Sequence, residues 1–385
     1  MEIHYTAPDV LQTLARLVEI NSVNPSYEGG RPEREIAAWI TRFFTEHGIE
    51  TWEQQVFPDR PNVIARLPGR DPNRRLIFEA HTDTVSASGM DIAPFDPVVS
   101  GSRLYGRGSC DTKAGLAAMM HALVSLKREG TVPPCEIRVV AAADEEFSSR
   151  GVLKLCEGLQ SQGLTAAGAV IAEPTSLRLA IASKGVLRWR ICCRGRAAHS
   201  SKPHLGVNAI ANMARLILVF EADNQELAHR PHPLLGSATC NIGIIQGGRQ
   251  VNFVPDSCSI EIDRRLLPGE EIPDVLAHYQ RLLEAHPQLD AYMEPPMLED
   301  YPLETAASAP MVACATGVLG DLDLEPEPIG VPYGSDASKL ARIGIPAVIF
   351  GPGSIDQAHA AVEWVECDQV MRAYEFYREL MLRFE

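Results

Sequence analysis

The chain has 385 residues, too many for one ordinary core, and its 45% hydrophobic and 22% charged content is that of a globular protein, so two domains are expected. A formal net charge of −15 excludes a general affinity for nucleic acid or anionic membrane, because both require a basic surface. Nine cysteines without a Cys-x-x-Cys pair, an N-terminus lacking a leader pattern and no run of about 18 apolar residues suggest reduced thiols in a cytoplasmic protein that does not span a membrane.

Thr6 as N-cap and Pro8 in the first turn, followed by Val10, Leu11, Leu14, Leu17 and Val18 at helical spacing, predict a first helix. A second is expected from Pro32 to His47, with Ile36, Ile40, Phe43 and Phe44 on its apolar face and Gly48 as its stop. Strands follow at about 50–57, 62–67 and 75–79, the last delivering His81-Thr82-Asp83 at its carboxyl end. A helix over 112–129, a strand over 136–143, a helix over 152–160 and a strand over 168–173 continue the alternation. It implies an α/β fold, a mainly parallel sheet with helices on both faces.

At about residue 182 the pattern changes. Strand 184–195, helix 206–226, strands 238–247 and 257–267, helix 273–284 and strand 289–293 give a βαββαβ order. That order describes an inserted α+β domain of the ferredoxin-like type over 182–294. Residues 1–181 and 295–385 are then the two parts of the first domain, the second part holding a helix at 307–318, a buried strand Ala347-Val348-Ile349-Phe350 and a closing helix at 368–384.

The apolar run Ile137 to Ala143 reads as a buried parallel strand, which presents reactive groups at its carboxyl end, and it ends in Asp144-Glu145-Glu146. Burying two adjacent carboxylates costs on the order of several kcal/mol unless a cation or a shared proton compensates. A metal is the simplest compensation; a solvated acidic turn is the other reading. His81 and Asp83, one residue apart, can point from one face or belong to a satisfied turn. Gly106-Arg107-Gly108 leads to Asp111 at a helix start, either a ligand or a plain N-cap. A dinucleotide fingerprint is disfavoured, since no strand runs into this loop and the third glycine is misplaced. Glu173 ends another strand, and His359 closes the glycine-rich tract that begins at Gly351. Histidine and carboxylate groups at several strand ends, without cysteine, favour a hydrolytic zinc or manganese site over a structural one.

Together these segments resemble the M20 metallopeptidase and amidohydrolase family, which includes acetylornithine deacetylases, succinyl-diaminopimelate desuccinylases, aminoacylases and glutamate carboxypeptidases. His81-Thr82-Asp83, Gly106-Arg107-Gly108 with Asp111-Thr112-Lys113-Ala114-Gly115, Asp144-Glu145-Glu146, Ala172-Glu173-Pro174, Gly195-Arg196-Ala197-Ala198-His199-Ser200 and Gly351-Pro352-Gly353 with His359 fall in family order. The resemblance covers nearly the whole chain. It implies two divalent metal ions, zinc first with cobalt or manganese as alternatives, bridged by Asp111. His81 and Glu173 would complete one ion, Glu146 and His359 the other. Asp83 would orient His81, and Glu145 would be the general base. His199 would cross a homodimer interface made by the inserted lid domains and stabilise the oxyanion. The charge count agrees with that division, because two divalent cations face three negative ligands and Glu145 stays free to carry a proton. Asn252 and Arg265 resemble lid residues that bind a substrate carboxylate, while Gly334, Ser335 and Gly353 resemble loop residues lining the pocket. A surface ion pair for Arg265, a surface turn for His199 and a plain helix-start role for Lys113 stay open.

The implied activity is hydrolysis of the amide of a small-molecule N-acyl amino acid by water, with acetylornithine deacetylation, a step of arginine biosynthesis, leading. Succinyl-diaminopimelate desuccinylation, glutamate-carboxypeptidase-like cleavage and metal-free binding of an amino-acid derivative are the alternatives. No Gly-x-Ser-x-Gly elbow or His-Glu-x-x-His pair supports a serine hydrolase or a mononuclear zincin.

Overall fold

In strand Asp71–His81, side-chain alternation sends successive residues to the two faces of its sheet. Leu76, Phe78 and Ala80 are buried against helices Asp9–Glu19, Arg34–Glu46, Lys113–Glu129, Pro310–Asp321 and Cys367–Arg383. The intervening Ile77, Glu79 and His81 take the opposite face, on the side of helices Arg150–Ser161 and Ala337–Arg342. This computed structural model describes residues 9–385, so the expected N-cap Thr6 and first-turn Pro8 lie outside the described residues.

Four strands form the middle of the sheet, in the order Cys135–Ala142, Asp71–His81, Gly168–Ile171 and Ala347–Ile349, all parallel. Their carboxyl ends therefore lie along one edge. The flanks depart from the expected mainly parallel sheet: Arg60–Leu67 and Glu50–Phe57 add antiparallel on one side, and Ala180–Ser183 on the other. Between Glu50–Phe57 and Arg60–Leu67 the reason is connection length, since residues 58–59 allow a hairpin but not the crossover of a dozen or more residues that parallel neighbours need. Val98–Ser100, Arg103–Tyr105 and Trp364–Glu366 make a small antiparallel sheet that the sequence pattern did not announce. Apart from Ala182 and Ser183, these elements belong to a unit comprising Met1–Ile181, Thr305–Ile329 and Ser335–Glu385.

Ala182–Glu304 and Gly330–Gly334 form a second unit. Its antiparallel sheet runs Thr239–Gly247, Ser257–Leu266, Gly185–Arg194, Ala291–Met293. Leu187, Trp189, Ile191 and Cys193 alternate inward onto helices Ala209–Leu227 and Ile272–Glu284, leaving Arg188 and Arg190 on the other face. Asn208 Oδ1 accepts the Ala211 N–H at 3.0 Å, which starts that helix at Ala209 rather than Gly206. Strand Leu298–Asp300 pairs with Gly185–Arg194, so the unit continues past 294 to Glu304. Among the described residues no helix is long and apolar enough to cross a membrane. All nine cysteines are free thiols.

One buried base in the first core gives a stability test. His121 is 8% exposed, and its Nε2 lies 2.8 Å from Thr13 Oγ1. Burial lowers its pKa from 6.5 to about 4. A base depressed on folding adds stability that is complete above its unfolded pKa and disappears as pH falls through its folded pKa. Here the window runs from 6.5 down to about 4, and the full loss is about 3 kcal/mol. His121→Gln is expected to flatten the fall in unfolding midpoint across that window; equal slopes for variant and wild type would refute the assignment.

Candidate metal centre

The parallel strands bring their following residues to one edge. Asp71–His81 ends on His81, and Gly168–Ile171 is followed two residues later by Glu173. After Cys135–Ala142 the chain turns sharply at Asp144, in the left-handed region at φ 68°, and enters the helical turn Glu145–Ser148. Asp111 stands just before helix Lys113–Glu129, and His359 lies in the loop after Ala347–Ile349. All five belong to the first unit.

Two donor clusters result, and Asp111 is in both. Donor atoms of His81, Asp111 and Glu173 lie within 4.8 Å of one another, as do those of Asp111, Glu146 and His359. His81 Nε2 is 3.1 Å from Asp111 Oδ1, whereas His359 Nε2 is 3.3 Å from Asp111 Oδ2 and 3.2 Å from Glu146 Oε2. Each oxygen of one carboxylate thus faces a different cluster. His81, Asp111 and Glu173 are buried, and the His359 ring is half exposed, leaving access from that side. Glu146 Oε1 is buried and has no hydrogen-bond partner among the described residues. Such an orphaned acceptor, in an all-nitrogen-and-oxygen donor set, is what a divalent cation satisfies.

Electrostatics without cations show the strain of this gathering. Burial, and then Asp111 and Glu145, push Glu173 well above the usual carboxylate range. Burial and Asp111 also raise Glu146, although His359 opposes them. Burial resists charging of Asp111, but His359 and His81 hold its carboxyl below the usual range. Burial likewise opposes a charged His81, and Asp111 and Asp83 overcome it. Positive charge placed between these groups relieves both effects.

Asp83 is fully buried and does more than stand beside His81. Its Oδ1 accepts the Glu145 N–H at 3.0 Å, and its Oδ2 accepts the Glu146 N–H at 3.2 Å and Asn24 Nδ2 at 2.7 Å. His81 Nδ1 lies 2.9 Å from the Asp83 carbonyl oxygen and 3.6 Å from its carboxylate. Asn24 also reaches Asp144, which Arg60 binds at 2.7 Å while forking onto the buried Glu33. The Glu145-Glu146 turn is therefore held from below by a buried polar network. Glu145, half-buried, has its pKa pushed well above the carboxylate range by burial and by Asp336 and Glu146, against His81. Lys113 is fully buried, donates to Ile20 O at 3.0 Å, and is lowered by burial to about 7.

The remaining candidates are distributed differently. Gly353 and Ser335 belong to the first unit, whereas Gly334, His199, Asn252 and Arg265 belong to the second. Ser335 is buried and its Oγ accepts the Ala337 N–H at 3.3 Å. His199 is exposed, its Nδ1 2.8 Å from Ser201 Oγ, and the pairing of Ala198–His199 with Phe253–Val254 brings it beside the exposed Asn252. Arg265 Nε donates to Asp263 Oδ1 at 2.8 Å, the surface ion pair already considered for it. Asn24, Arg60 and Glu33 were missed by sequence reasoning because their partners are far away along the chain. Glu79 carried a legible signal, an acid inside Leu76-Ile77-Phe78-Glu79-Ala80. Buried without a hydrogen-bond partner among the described residues, it is pushed well above the carboxylate range by burial and Asp336.

This fold and donor set define a metal-dependent hydrolase. The chain matches peptidase family M20/M25/M40 over residues 77–383, and it belongs to that family. It is 25% identical over 414 residues to a Staphylococcus aureus (strain MSSA476) protein named "Probable succinyl-diaminopimelate desuccinylase", covering 99% of this chain and 98% of that one. An acetylornithine deacetylase of Myxococcus xanthus is 28% identical over 386 residues, 95% of each chain. The solved structure of a dinuclear metal binding peptidase from Bacillus subtilis shares the fold, with a TM-score of 0.73 and 18% identity over 98% of each chain. The protein is accordingly an M20-type hydrolase acting on linear amides.

Proposed function

We propose that the protein removes the acyl group from an N-acyl amino acid, with N-acetylornithine as the leading substrate, in the cytoplasm. The observation that carries this reading is the shared Asp111, whose two oxygens address two separate donor clusters. In this reading Asp111 would be shared between two divalent ions, zinc first, with His81 and Glu173 holding one and Glu146 and His359 the other. Bound there, the ions supply a water of lowered pKa, toward about 7, and polarise the amide carbonyl. Glu145 takes a proton from the attacking water and returns it to the departing amine. Asp83 fixes base and ligand together through their N–H groups, as its two short contacts support.

His199 and Asn252, adjoining and exposed, are proposed to meet the substrate, His199 as the oxyanion donor across a homodimer interface. Arg265 would bind a substrate carboxylate, its guanidinium held in place by Asp263. Gly334, Ser335 and Gly353 would line the pocket. Edge strand Thr239–Gly247 supports the dimer, since its outer side has no strand partner among the described residues and Ile244 and Ile245 are 46% and 54% exposed there. Ile245→Lys is expected to give monomers in sedimentation, with kcat lowered about 10²-fold through loss of the donated oxyanion contact and metal content unchanged. Dimers of full activity would remove this interface from the proposal.

Comparison of kcat/KM for N-acetylornithine, N-succinyl-diaminopimelate and acyl or peptidyl glutamates tests the substrate. N-acetylornithine should exceed the others by at least about tenfold, a difference of about 1.4 kcal/mol in transition-state binding. The relative from S. aureus favours desuccinylation as the second reading. A peptide preferred over both would overturn the substrate assignment while leaving amide hydrolysis intact.

A further inference from the structure

The segment that carries His359 also carries Glu363, four residues on and fully buried, just before strand Trp364–Glu366. Its Oε2 accepts Arg107 Nη1 at 2.7 Å and the Gly108 N–H at 3.0 Å. Its Oε1 accepts the N–H groups of Cys110 at 2.9 Å and Asp111 at 3.1 Å. A carboxylate offers about four acceptor positions, and here four donors fill them. The same segment holds the loop by its main chain, since Gly106 N donates to Glu363 O at 3.1 Å and Val365 pairs with Leu104. Gly108 lets the loop close around this carboxylate. Its φ is +81°, and a Cβ there would fall 2.8 Å from Thr84 Cγ2.

We propose that Glu363 is the positioning residue for Asp111, fixing the loop so that both oxygens of that carboxylate face their clusters and thereby setting the affinity for divalent cations. The inference rests on Asp111 being the shared ligand. A ligand that serves one ion tolerates a small rotation by following it, but a shared carboxylate loses one cluster when it turns toward the other. Glu363 is matched in charge by Arg107, so its contribution to the site is one of geometry.

The test uses the full-length protein stripped of metal and titrated with Co²⁺ alone, read by binding stoichiometry and visible absorption. Wild type should take up two equivalents. Glu363→Gln, which turns an acceptor into a donor facing the loop's own N–H groups, lowers the metal-free melting temperature by leaving Arg107 without its buried partner, and at temperatures where the metal-free variant is still folded it should bind Co²⁺ about 10–100-fold more weakly, with a changed absorption spectrum. Two equivalents bound with wild-type affinity and spectrum would overturn the role of Glu363. Fewer than two equivalents in wild type would instead overturn the shared-ligand reading. If Glu363→Gln does not fold, Glu363→Asp, which keeps the charge and withdraws it by one methylene, is titrated with the same outcomes.

Discussion

Replacing Glu145 by glutamine is expected to lower kcat by about 10²–10⁴-fold while both metal equivalents stay bound. Glu145 stands outside both donor clusters yet is adjacent in sequence to Glu146, which belongs to one. The two amide N–H groups are tied to the same carboxylate of Asp83, so the glutamine variant keeps the backbone that aims the ligand. Only the ability to accept a proton is lost. The comparison is Glu146→Gln, which removes a charged donor from the His359 cluster and should cost about one equivalent of metal. If Glu145→Gln loses metal and Glu146→Gln does not, their roles are reversed. In the metal-free site burial and neighbouring acids push Glu145 well above the carboxylate range, and nearby cations oppose that shift. As the proposed base, Glu145 is active when deprotonated, so wild-type kcat/KM should fall on the acid side of its pKa.

The strand ends were legible for a physical reason. Groups at the carboxyl edge of a parallel sheet follow short apolar runs, and His81, Glu146 and Glu173, whose donor atoms the fold gathers into the two clusters, each stand at most four residues beyond such a run. Glu50–Phe57 was bounded as observed because turn residues flank it. The flanking strands were misjudged in direction because burial patterns report which face is covered and not which way the neighbour runs. The second unit ran on to Glu304 because pairing of Leu298 with Arg188 is a contact across more than a hundred residues. Glu363 gave no signal at all. It sits alone between Val362 and Trp364, and its meaning comes from four donors around residue 110. Arg60 and Asn24 belong to the same kind, since a buried polar network is assembled by the fold and leaves no spacing to read.

Removing the ions with a chelator is expected to abolish turnover, and added zinc, cobalt or manganese to restore it; a metal-free binding protein would show neither change. Uptake is also expected to release protons. In the metal-free site the bonds to Asp111 and Glu146 raise His359 to about 10, so its ring is charged at neutral pH. A charged imidazole cannot be a ligand, and the proton must leave as the cation arrives. Affinity at that cluster should therefore fall about tenfold for each pH unit lowered below about 10. The sign for the fold alone is opposite. A base whose pKa rises from 6.5 to about 10 on folding stabilises the metal-free protein fully below 6.5, and that contribution is lost as pH climbs through about 10. Raising the pH thus weakens the empty site while it favours the filled one, so the rise in melting temperature on adding metal should grow between pH 6.5 and 9. Calorimetric titration in two buffers of different ionisation enthalpy counts the protons directly. A count of zero would remove His359 from the ligand set and with it the second cluster.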